Sequence, residues 1–267
     1  MIDYPGFDPV ALELGPLKVR WYGITYLIAF AAAWWLGRRR AAQAGSTWKP
    51  IDVDDFVFFC MLGVILGGRL GYTLFYGFDQ WMQDPLYLLR IWEGGMSFHG
   101  GLIGVLVALA VFAVRRGRAV ADVFDFAAAL PGLGIFAVRI GNFINGELWG
   151  RPTEVAWGMR VDGVVRHPTQ LYEAALEGLL LAAVLWWFTS RPRPRLAASG
   201  LFLLMYAFGR LTVEFWRLPD QHIGYLFGGW FTMGHMLTLP MLIGGIVLLV
   251  IAFRNPQSSG NYGRSTA

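Results

Sequence analysis

A polar stretch at residues 139–150 stands out because it follows directly on an apolar run at 123–138. It reads R-I-G-N-F-I-N-G-E-L-W-G, so one arginine, two asparagines, one glutamate and three glycines fall within twelve residues. An arginine just inside a membrane-spanning helix is costly and is a functional-site candidate by default, although a snorkelling arginine can simply mark the membrane edge. The amide and carboxyl groups that follow it favour a polar pocket at the membrane surface.

A second group of polar residues, Tyr206, Arg210 and Glu214, lies on one predicted helix. Their spacing of four residues places them in one stripe along that helix. One interpretation is a neutralised Arg210–Glu214 pair that only fixes packing. However, Arg139 is a second cation in the same apolar bundle, and two such cations need an anion between them. Glu147 and Glu214 supply part of that charge, and a lipid phosphate, which guanidinium groups bind through two parallel hydrogen bonds, supplies the rest.

Two of the four histidines are candidates for this site. His99 lies in M-S-F-H-G-G at the outer end of a predicted span, where the neighbouring glycines allow close approach of a ligand. Partial burial would keep its imidazole neutral and able to accept a proton, and a structural role is the alternative. His167 lies where the chain re-enters the membrane, and we again weigh a structural role against substrate binding. The histidines are not spaced three or four residues apart, so we expect no metal site.

The residues of an intramembrane protease are missing. No serine lies at the middle of a predicted span, and Asp122 and Asp125 share one predicted helix, so they cannot form a dyad from two helices. The single cysteine, Cys60, excludes an internal disulfide.

The composition predicts an integral membrane protein. Hydrophobic residues make up 56% of the 267-residue chain and charged residues 15%, against about 25% charged residues in an average soluble protein. The 12 tryptophans and 10 tyrosines suit the two membrane interfaces. The net charge of +4 comes almost entirely from arginine. Such an excess sets the topology of a membrane protein, and we expect no nucleic acid partner.

The hydropathy pattern predicts an all-α protein with seven transmembrane helices, each long enough for a hydrocarbon core of ~30 Å. The spans are expected at residues 21–36, 56–76, 97–114, 122–140, 170–188, 200–216 and 232–253. Twelve lysines and arginines fall in the loops on one side and seven on the other. The positive-inside rule therefore places the N-terminus outside and the C-terminus in the cytoplasm, so that the 139–150 stretch faces the outside.

The remaining segments complete a single expected domain over residues 1–255. Residues 142–168 are predicted to form a small extracytoplasmic cap with a hairpin around Asp162 and Gly163. Residues 1–20 are expected to form a short interfacial segment in which prolines prevent a helix. Residues 256–267 are expected to be a disordered cytoplasmic tail.

Several distinctive runs occur along the chain: F-D-P-V near the start, R-W-Y-G at 20–23, G-G-R-L-G-Y at 67–72, G-G-M-S-F-H-G-G at 94–101, R-I-G-N-F-I-N-G-E-L-W-G-R at 139–151, R-H-P-T-Q-L-Y-E at 166–173 and Y-A-F-G-R-L-T-V-E-F at 206–215. Together they resemble the bacterial phosphatidylglycerol–prolipoprotein diacylglyceryl transferase family over nearly the whole chain. The run at 139–151 matches the signature of that family. The segment between Gly150 and His167 is shorter than in some members, so any role of a longer outer loop does not carry over.

The resemblance implies an enzyme of the bacterial cytoplasmic (inner) membrane that needs no cofactor. Such an enzyme moves the diacylglyceryl group of phosphatidylglycerol onto the lipobox cysteine thiol of a prolipoprotein, forming a thioether and releasing glycerol phosphate. In that family the residues matching Arg139, Arg210 and His99 matter most. The residues that line or support the site are those matching Tyr22, Asn142, Glu147, Gly150, Tyr206 and Glu214.

From these residues we expect a division of labour. Arg139 and Arg210 clamp the phosphate, and His99 assists ionisation of the thiol. The headgroup is oriented by Tyr22, Asn142 and Asn145. Arg69 either bridges helices through backbone carbonyls or helps to admit the lipid headgroup.

Two alternatives come from other functional classes. A lipid or anion transporter would also use arginines within the membrane, but it would move its substrate and form no covalent product. A non-catalytic membrane scaffold would tolerate replacement of Arg139 and His99.

Overall fold

The computed structural model describes residues 2–15, 17–219, 223–257 and 259–261, apart from the side chain of Leu17. The chain forms two compact units, which are described separately. The first unit comprises the residues up to Leu36 and Asp125–Ser259. The second unit comprises Gly37–Phe124 and the residues from Gly260 onward.

Most of the described chain is helical. In chain order the α-helices are α1 (Trp21–Ala41), α2 (Pro50–Phe75), α3 (Phe78–Gln83), α4 (Phe98–Arg115), α5 (Val120–Ala128), α6 (Gly132–Ile144), α7 (Thr169–Glu173), α8 (Leu181–Phe188), α9 (Ala197–Glu214) and α10 (Met233–Arg254). A π-helical segment, Ala174–Leu180, joins α7 to α8 without a break, and two 3₁₀ turns lie at Pro85–Leu89 and Ile91–Glu93.

Short strands correct the all-α expectation. They are β1 (Ile2–Asp3), β2 (Val10–Leu14), β3 (Leu17–Arg20), β4 (Met159–Val161), β5 (Val164–Arg166), β6 (Tyr225–Phe227) and β7 (Phe231–Thr232). Strands β2 and β3 form a hairpin where a short interfacial segment was expected, since a chain interrupted by proline can still pair as short strands. The hairpin predicted around Asp162 and Gly163 is confirmed as β4–β5, and both turn residues have the positive φ that a tight turn of this kind requires. Strand β1 pairs in parallel with β4.

Three described helices are long and apolar enough to cross a membrane: Phe98–Arg115, Thr169–Phe188 and Met233–Arg254. The pair α5 and α6 makes a fourth if it is counted as one span, although its two halves meet at 50°. The sequence predicted one continuous helix over 122–140. The break falls at Pro131, because proline has no N–H for the helix ladder and its ring clashes with the preceding turn. A membrane protein is therefore supported, and seven spans remain a prediction.

Small residues bring the helices of the first unit close enough to place the polar side chains. A Cβ on Gly178 would lie 2.8 Å from the backbone of Phe136, so α6 packs directly against the π-helical segment. A Cβ on Gly141 would lie 2.7 Å from Thr25 Oγ1, which brings α1 onto the other side of α6. Close approach of this kind is typical of helices in membranes.

Helices α9 and α10 pack in the same way, with Gly245 meeting the backbone of Leu204. The start of α9 is held from outside the helix: both the backbone N–H and the hydroxyl of Ser199 donate to Asp125 Oδ1, at 2.9 and 2.6 Å. The backbone N–H of Leu196 donates to Asp125 Oδ2. Since the first N–H groups of a helix have no partner within it, Asp125 stabilises the beginning of α9.

In the second unit, α2 and α4 meet through glycines spaced four residues apart. A Cβ on Gly63 would lie 2.6 Å from the carbonyl oxygen of Gly104. Part of the tail that was expected to be disordered also belongs here: Asn261 accepts a hydrogen bond from Trp48 Nε1 at 2.8 Å, and Gly260 N–H donates to Asp122. Residues 258 and 262–267 of that tail lie outside the described residues.

Candidate active site

A fully buried carboxylate, Glu173, joins the two arginines that the sequence singled out. Arg139 on α6 places NH1 3.1 Å from Glu173 Oε2, and Arg210 on α9 places NH1 2.6 Å from Glu173 Oε1. Arg139 also pairs with Glu177 at 3.0 Å, through the π-helical segment. The two cations therefore lie on opposite oxygens of one carboxylate.

The same network continues along α9. Arg210 pairs with Glu214 at 2.8 Å, so the Arg210–Glu214 pair weighed as a packing element is present. Arg217, just beyond the end of α9, contacts Glu173 at 2.6 Å and Glu214 at 3.5 Å. Thr232, which caps the start of α10, donates its hydroxyl to Glu214 Oε1 at 2.6 Å. Glu214 thus connects the C-terminal end of α9 to the N-terminal end of α10.

The glutamate side chains of this network are more deeply buried than the arginine side chains. The glutamate side chains of 173 and 177 have no exposed surface and that of Glu214 is 4% exposed, whereas Arg139 and Arg210 are 18% and 17% exposed. Three glutamates face three arginines, so the formal charge of the network is zero. Burying an unpaired charge is expensive, and the glutamates behind the arginines make it possible to keep guanidinium groups at the edge of an apolar bundle.

Glu147 does not lie between the arginines as expected. Instead, its Oε1 accepts hydrogen bonds from Asn142 Nδ2 at 2.8 Å and from Asn145 Nδ2 at 3.4 Å. The reason is local, because the chain turns immediately after α6 and brings the three polar side chains of this stretch onto one another. The anion that bridges Arg139 and Arg210 is Glu173, and Glu177 adds a second carboxylate to Arg139.

The N-terminal segment fixes the end of this stretch. The Tyr4 hydroxyl lies 2.9 Å from the carbonyl oxygens of both Phe143 and Ile144, at the C-terminal end of α6. Its ring also contacts Phe143 and Trp149 edge-on. The last carbonyls of a helix lack partners within the helix, and the single hydroxyl proton of Tyr4 is shared between these two, which holds the chain that follows Arg139.

Gly150 occupies a crowded junction in which a side chain has no room. A Cβ there would lie 2.5 Å from the carbonyl oxygen of Trp216 and 2.9 Å from His167 Cβ. His167 Nδ1 lies 3.0 Å from the hydroxyl of Tyr172, which in turn accepts a hydrogen bond from Trp157. Partial burial lowers the pKa of His167 below its ordinary value, which favours the neutral imidazole at pH 7.

The two tyrosines predicted at the site lie in the first unit. Tyr22, in the first turn of α1, places its hydroxyl 3.3 Å from that of Tyr26. Tyr206 stacks on Phe202 and lies within electrostatic range of Arg139 and Glu177. Tyr206 therefore belongs with the arginine–glutamate network.

His99 and Arg69 belong to the second unit, whereas the residues of the arginine–glutamate network belong to the first. His99 is exposed in the first turn of α4, which corrects the expectation of partial burial. Arg69 is 3% exposed, and its guanidinium donates to the carbonyls of Tyr87, Leu88, Gly94 and Gly95. The first of the two roles weighed for Arg69, binding to backbone carbonyls, is what the contacts describe, and these carbonyls belong to the loop that precedes α4.

Comparison with known proteins assigns the family. A family model described as prolipoprotein diacylglyceryl transferase matches residues 9–251. The chain belongs to the prolipoprotein diacylglyceryl transferase family. Three similar curated proteins are each named phosphatidylglycerol–prolipoprotein diacylglyceryl transferase. The protein from Oleidesulfovibrio alaskensis is 55% identical, and the match covers 97% of this chain and 98% of that protein. The protein from Methylococcus capsulatus is 54% identical over 95% of this chain and 98% of that protein, and the protein from Solidesulfovibrio magneticus is 52% identical over 98% of this chain and 100% of that protein. These findings confirm the resemblance drawn from the sequence motifs.

In this member of the prolipoprotein diacylglyceryl transferase family, sequence reasoning missed Glu173, Glu177 and Arg217. A signal for the first two was present: glutamates four residues apart in Q-L-Y-E-A-A-L-E, inside an apolar span, need cationic partners. The π-helical turn that carries Glu177 could not be foreseen, and such turns are frequent at functional sites.

Proposed function

We propose that this chain transfers the diacylglyceryl group of phosphatidylglycerol to the lipobox cysteine of a prolipoprotein. The thiolate sulfur attacks the glyceryl CH₂ carbon that carries the phosphate ester, so a C–S bond forms as the C–O bond breaks. The electron pair of that C–O bond goes to the phosphate oxygen, which leaves as glycerol phosphate. The proton of the thiol goes to a base, for which His99 is the proposed residue.

The observation that carries this proposal is the pairing of Arg139 and Arg210 on the two oxygens of Glu173. Each guanidinium has five N–H donors, and the carboxylate contacts engage only some of them. Because the glutamates are buried and the arginines are partly exposed, the free edge of each guanidinium is available to an anion arriving from the accessible side. A lipid phosphate is an anion of the required geometry.

The energies favour phosphate binding as the main contribution. A thiol with a pKa of ~8.5 is only about 3% ionised at pH 7, so formation of the thiolate costs roughly 2 kcal/mol. Preorganised donors aimed at developing charge contribute about 3–4 kcal/mol each. The stabilisation of the departing phosphate by two arginines is therefore larger than the whole cost of forming the thiolate, which is the most that a single base can offset.

The other candidate residues take supporting roles in this proposal. The headgroup is oriented by Tyr22, Asn142 and Asn145, with Glu147 fixing the two amides. The remaining residues proposed to line the site are Gly150, His167, Tyr206 and Glu214. Arg69 contributes by holding the loop that precedes His99.

We also propose the finer membrane arrangement. The enzyme would lie in the inner membrane of a bacterium with seven spans, its N-terminus and active site on the extracytoplasmic side and its C-terminus in the cytoplasm. The support is the excess of lysine and arginine in one set of loops. Membership of a transferase family does not favour the lipid or anion transporter alternative.

The test uses purified protein, phosphatidylglycerol and a lipobox peptide, with mass spectrometry of the peptide. We expect a mass increase of one diacylglyceryl group, and none for a peptide in which serine replaces the cysteine. Arg139→Ala should abolish the adduct, whereas Arg160→Ala is a matched control, because Arg160 is exposed and pairs with Asp3 on the surface. Movement of lipid without an adduct would instead support a transporter.

A further inference from the structure

An open cavity of about 340 Å³ lies in the cap of the first unit, beside the arginine–glutamate network. It has apolar walls and three charged side chains. Its lining includes Leu148, Trp149, Asp162, Arg166 and Arg217. A cavity of this size is within the range of small-molecule sites.

Backbone pairing places two arginines at this one cavity. The segment 150–152 runs between two parts of the chain: Gly150 pairs with Arg217 on one side, and Pro152 pairs with Arg166 on the other. The side chain of Arg151 donates to the carbonyl of Arg217 at 2.9 Å and stabilises this arrangement. The backbone of Arg166 and of Arg217 is thus held beside the cavity by its pairing with the segment 150–152.

The charged side chains define which ligand fits. Arg166 is half-buried, and its one described hydrogen bond, to the carbonyl of Gly150, is long at 3.4 Å. Arg217 meets Glu173 through NH1 and Glu214 through Nε, so among the described residues NH2 keeps donors for a further acceptor. Two guanidinium groups match phosphate oxygens, while the exposed carboxylate of Asp162 is an acceptor for hydroxyl groups.

We propose that this cavity binds glycerol phosphate, the product that leaves in the transfer reaction proposed above, and that it is a product-release subsite. Arg166 and Arg217 bind the phosphate, Asp162 accepts from the glycerol hydroxyls, and Leu148 and Trp149 contact the carbon chain. Arg217 reaches both the cavity and Glu173, which also holds Arg139 and Arg210. The leaving group therefore passes from the paired arginines to a cavity that shares a carboxylate contact with them.

Binding can be measured without turnover, by isothermal titration of glycerol phosphate into the purified full chain in detergent. Inorganic phosphate, glycerol and a short-chain phosphatidylglycerol are titrated in parallel. We expect wild type to bind glycerol phosphate more tightly than phosphate or glycerol, and Arg166→Gln to weaken it by about tenfold, the loss of a charge-assisted hydrogen bond. Arg160→Gln, on the neighbouring strand of the same hairpin, is the matched control and should bind as wild type does.

A second variant guards against a folding defect in the first. Asn tolerates the positive φ of position 162, so Asp162→Asn keeps the turn and removes a charge that repels phosphate. It should bind inorganic phosphate roughly twofold to fivefold more tightly than wild type. The proposal is overturned if Arg166→Gln and Arg160→Gln bind alike, if Asp162→Asn has no effect, or if only the lipid depends on Arg166.

These outcomes are separable from those for the transferase reaction. A chain that makes the thioether but does not bind glycerol phosphate contradicts the subsite alone. A chain that binds glycerol phosphate through Arg166 but makes no thioether contradicts the proposed reaction alone.

Discussion

Replacing Glu173 by glutamine changes one buried charge at the centre of the site and keeps the shape of the side chain. In the folded chain Glu173 contacts Arg210 and Arg217 at 2.6 Å and Arg139 at 3.1 Å, with no exposed surface. Glutamine leaves these three arginines facing two glutamates and turns an amide donor towards a cation. Removing one partner of a buried ion pair costs about 3–5 kcal/mol.

Part of this cost should appear as lost catalysis, because the two phosphate-binding arginines lose the group that aligns them. We expect kcat/KM for adduct formation to fall by at least about 100-fold, which corresponds to roughly 2.7 kcal/mol. Glu177→Gln is the matched control: Glu177 is equally buried, lies one turn away and, among the described residues, forms an ion pair with Arg139 alone. The loss of one charged hydrogen bond predicts a decrease of about tenfold.

Peptide mass spectrometry gives the rate for each variant, and thermal unfolding of the purified protein gives its stability. Activity of Glu173→Gln within threefold of wild type would refute the role of Glu173 in aligning the arginines. Equal losses in Glu173→Gln and Glu177→Gln would also refute it, because the difference in contacts would then have no consequence.

Three further predictions concern the groups around this centre. Arg210→Ala should nearly abolish transfer at every pH, whereas His99→Ala should recover partly at raised pH, where more thiol is ionised; a pH-rate profile that is flat for both contradicts this. Gly150→Ala should lower stability by about 1–3 kcal/mol, because the added Cβ would lie 2.5 Å from a carbonyl oxygen; an unchanged unfolding midpoint contradicts this. Burial lowers the pKa of His167, so its contribution to stability is present above pH ~6.5 and is lost as pH falls through the lower pKa of the folded chain. His167→Gln should flatten the decline of the unfolding midpoint over that range, and a decline as steep as in wild type contradicts the assignment.

Helices with a strong local signal were predicted well from the sequence. The span expected at 170–188 is found at Thr169–Phe188, and the hairpin turn at Asp162 and Gly163 follows from residues that tolerate positive φ. The break at Pro131 was missed, because the apolar run around it continues without interruption and hydropathy cannot report a bend.

The site was only partly predictable because ion pairing depends on which helices face each other. Arg139 and Arg210 were recognised from their position in apolar segments, yet the anionic charge between them was sought in Glu147, Glu214 and a lipid phosphate. Of these, Glu214 pairs with Arg210, whereas the carboxylate that joins the two arginines is Glu173. Glu173 reaches both arginines because glycines bring α6 against the π-helical segment that follows α7, and no periodicity in the sequence encodes that contact. The exposure of His99 likewise depends on packing and not on its flanking residues.

The central claim is that sulfur displaces an arginine-bound phosphate from carbon. The most direct test is phosphatidylglycerol carrying ¹⁸O in the bridge between the diacylglyceryl carbon and phosphorus, followed by mass analysis of both products. We expect all of the label in glycerol phosphate and a peptide adduct free of it, since the C–O bond breaks. Label recovered in diacylglycerol, with no thioether on the peptide, would mean that the P–O bond breaks and would contradict the account.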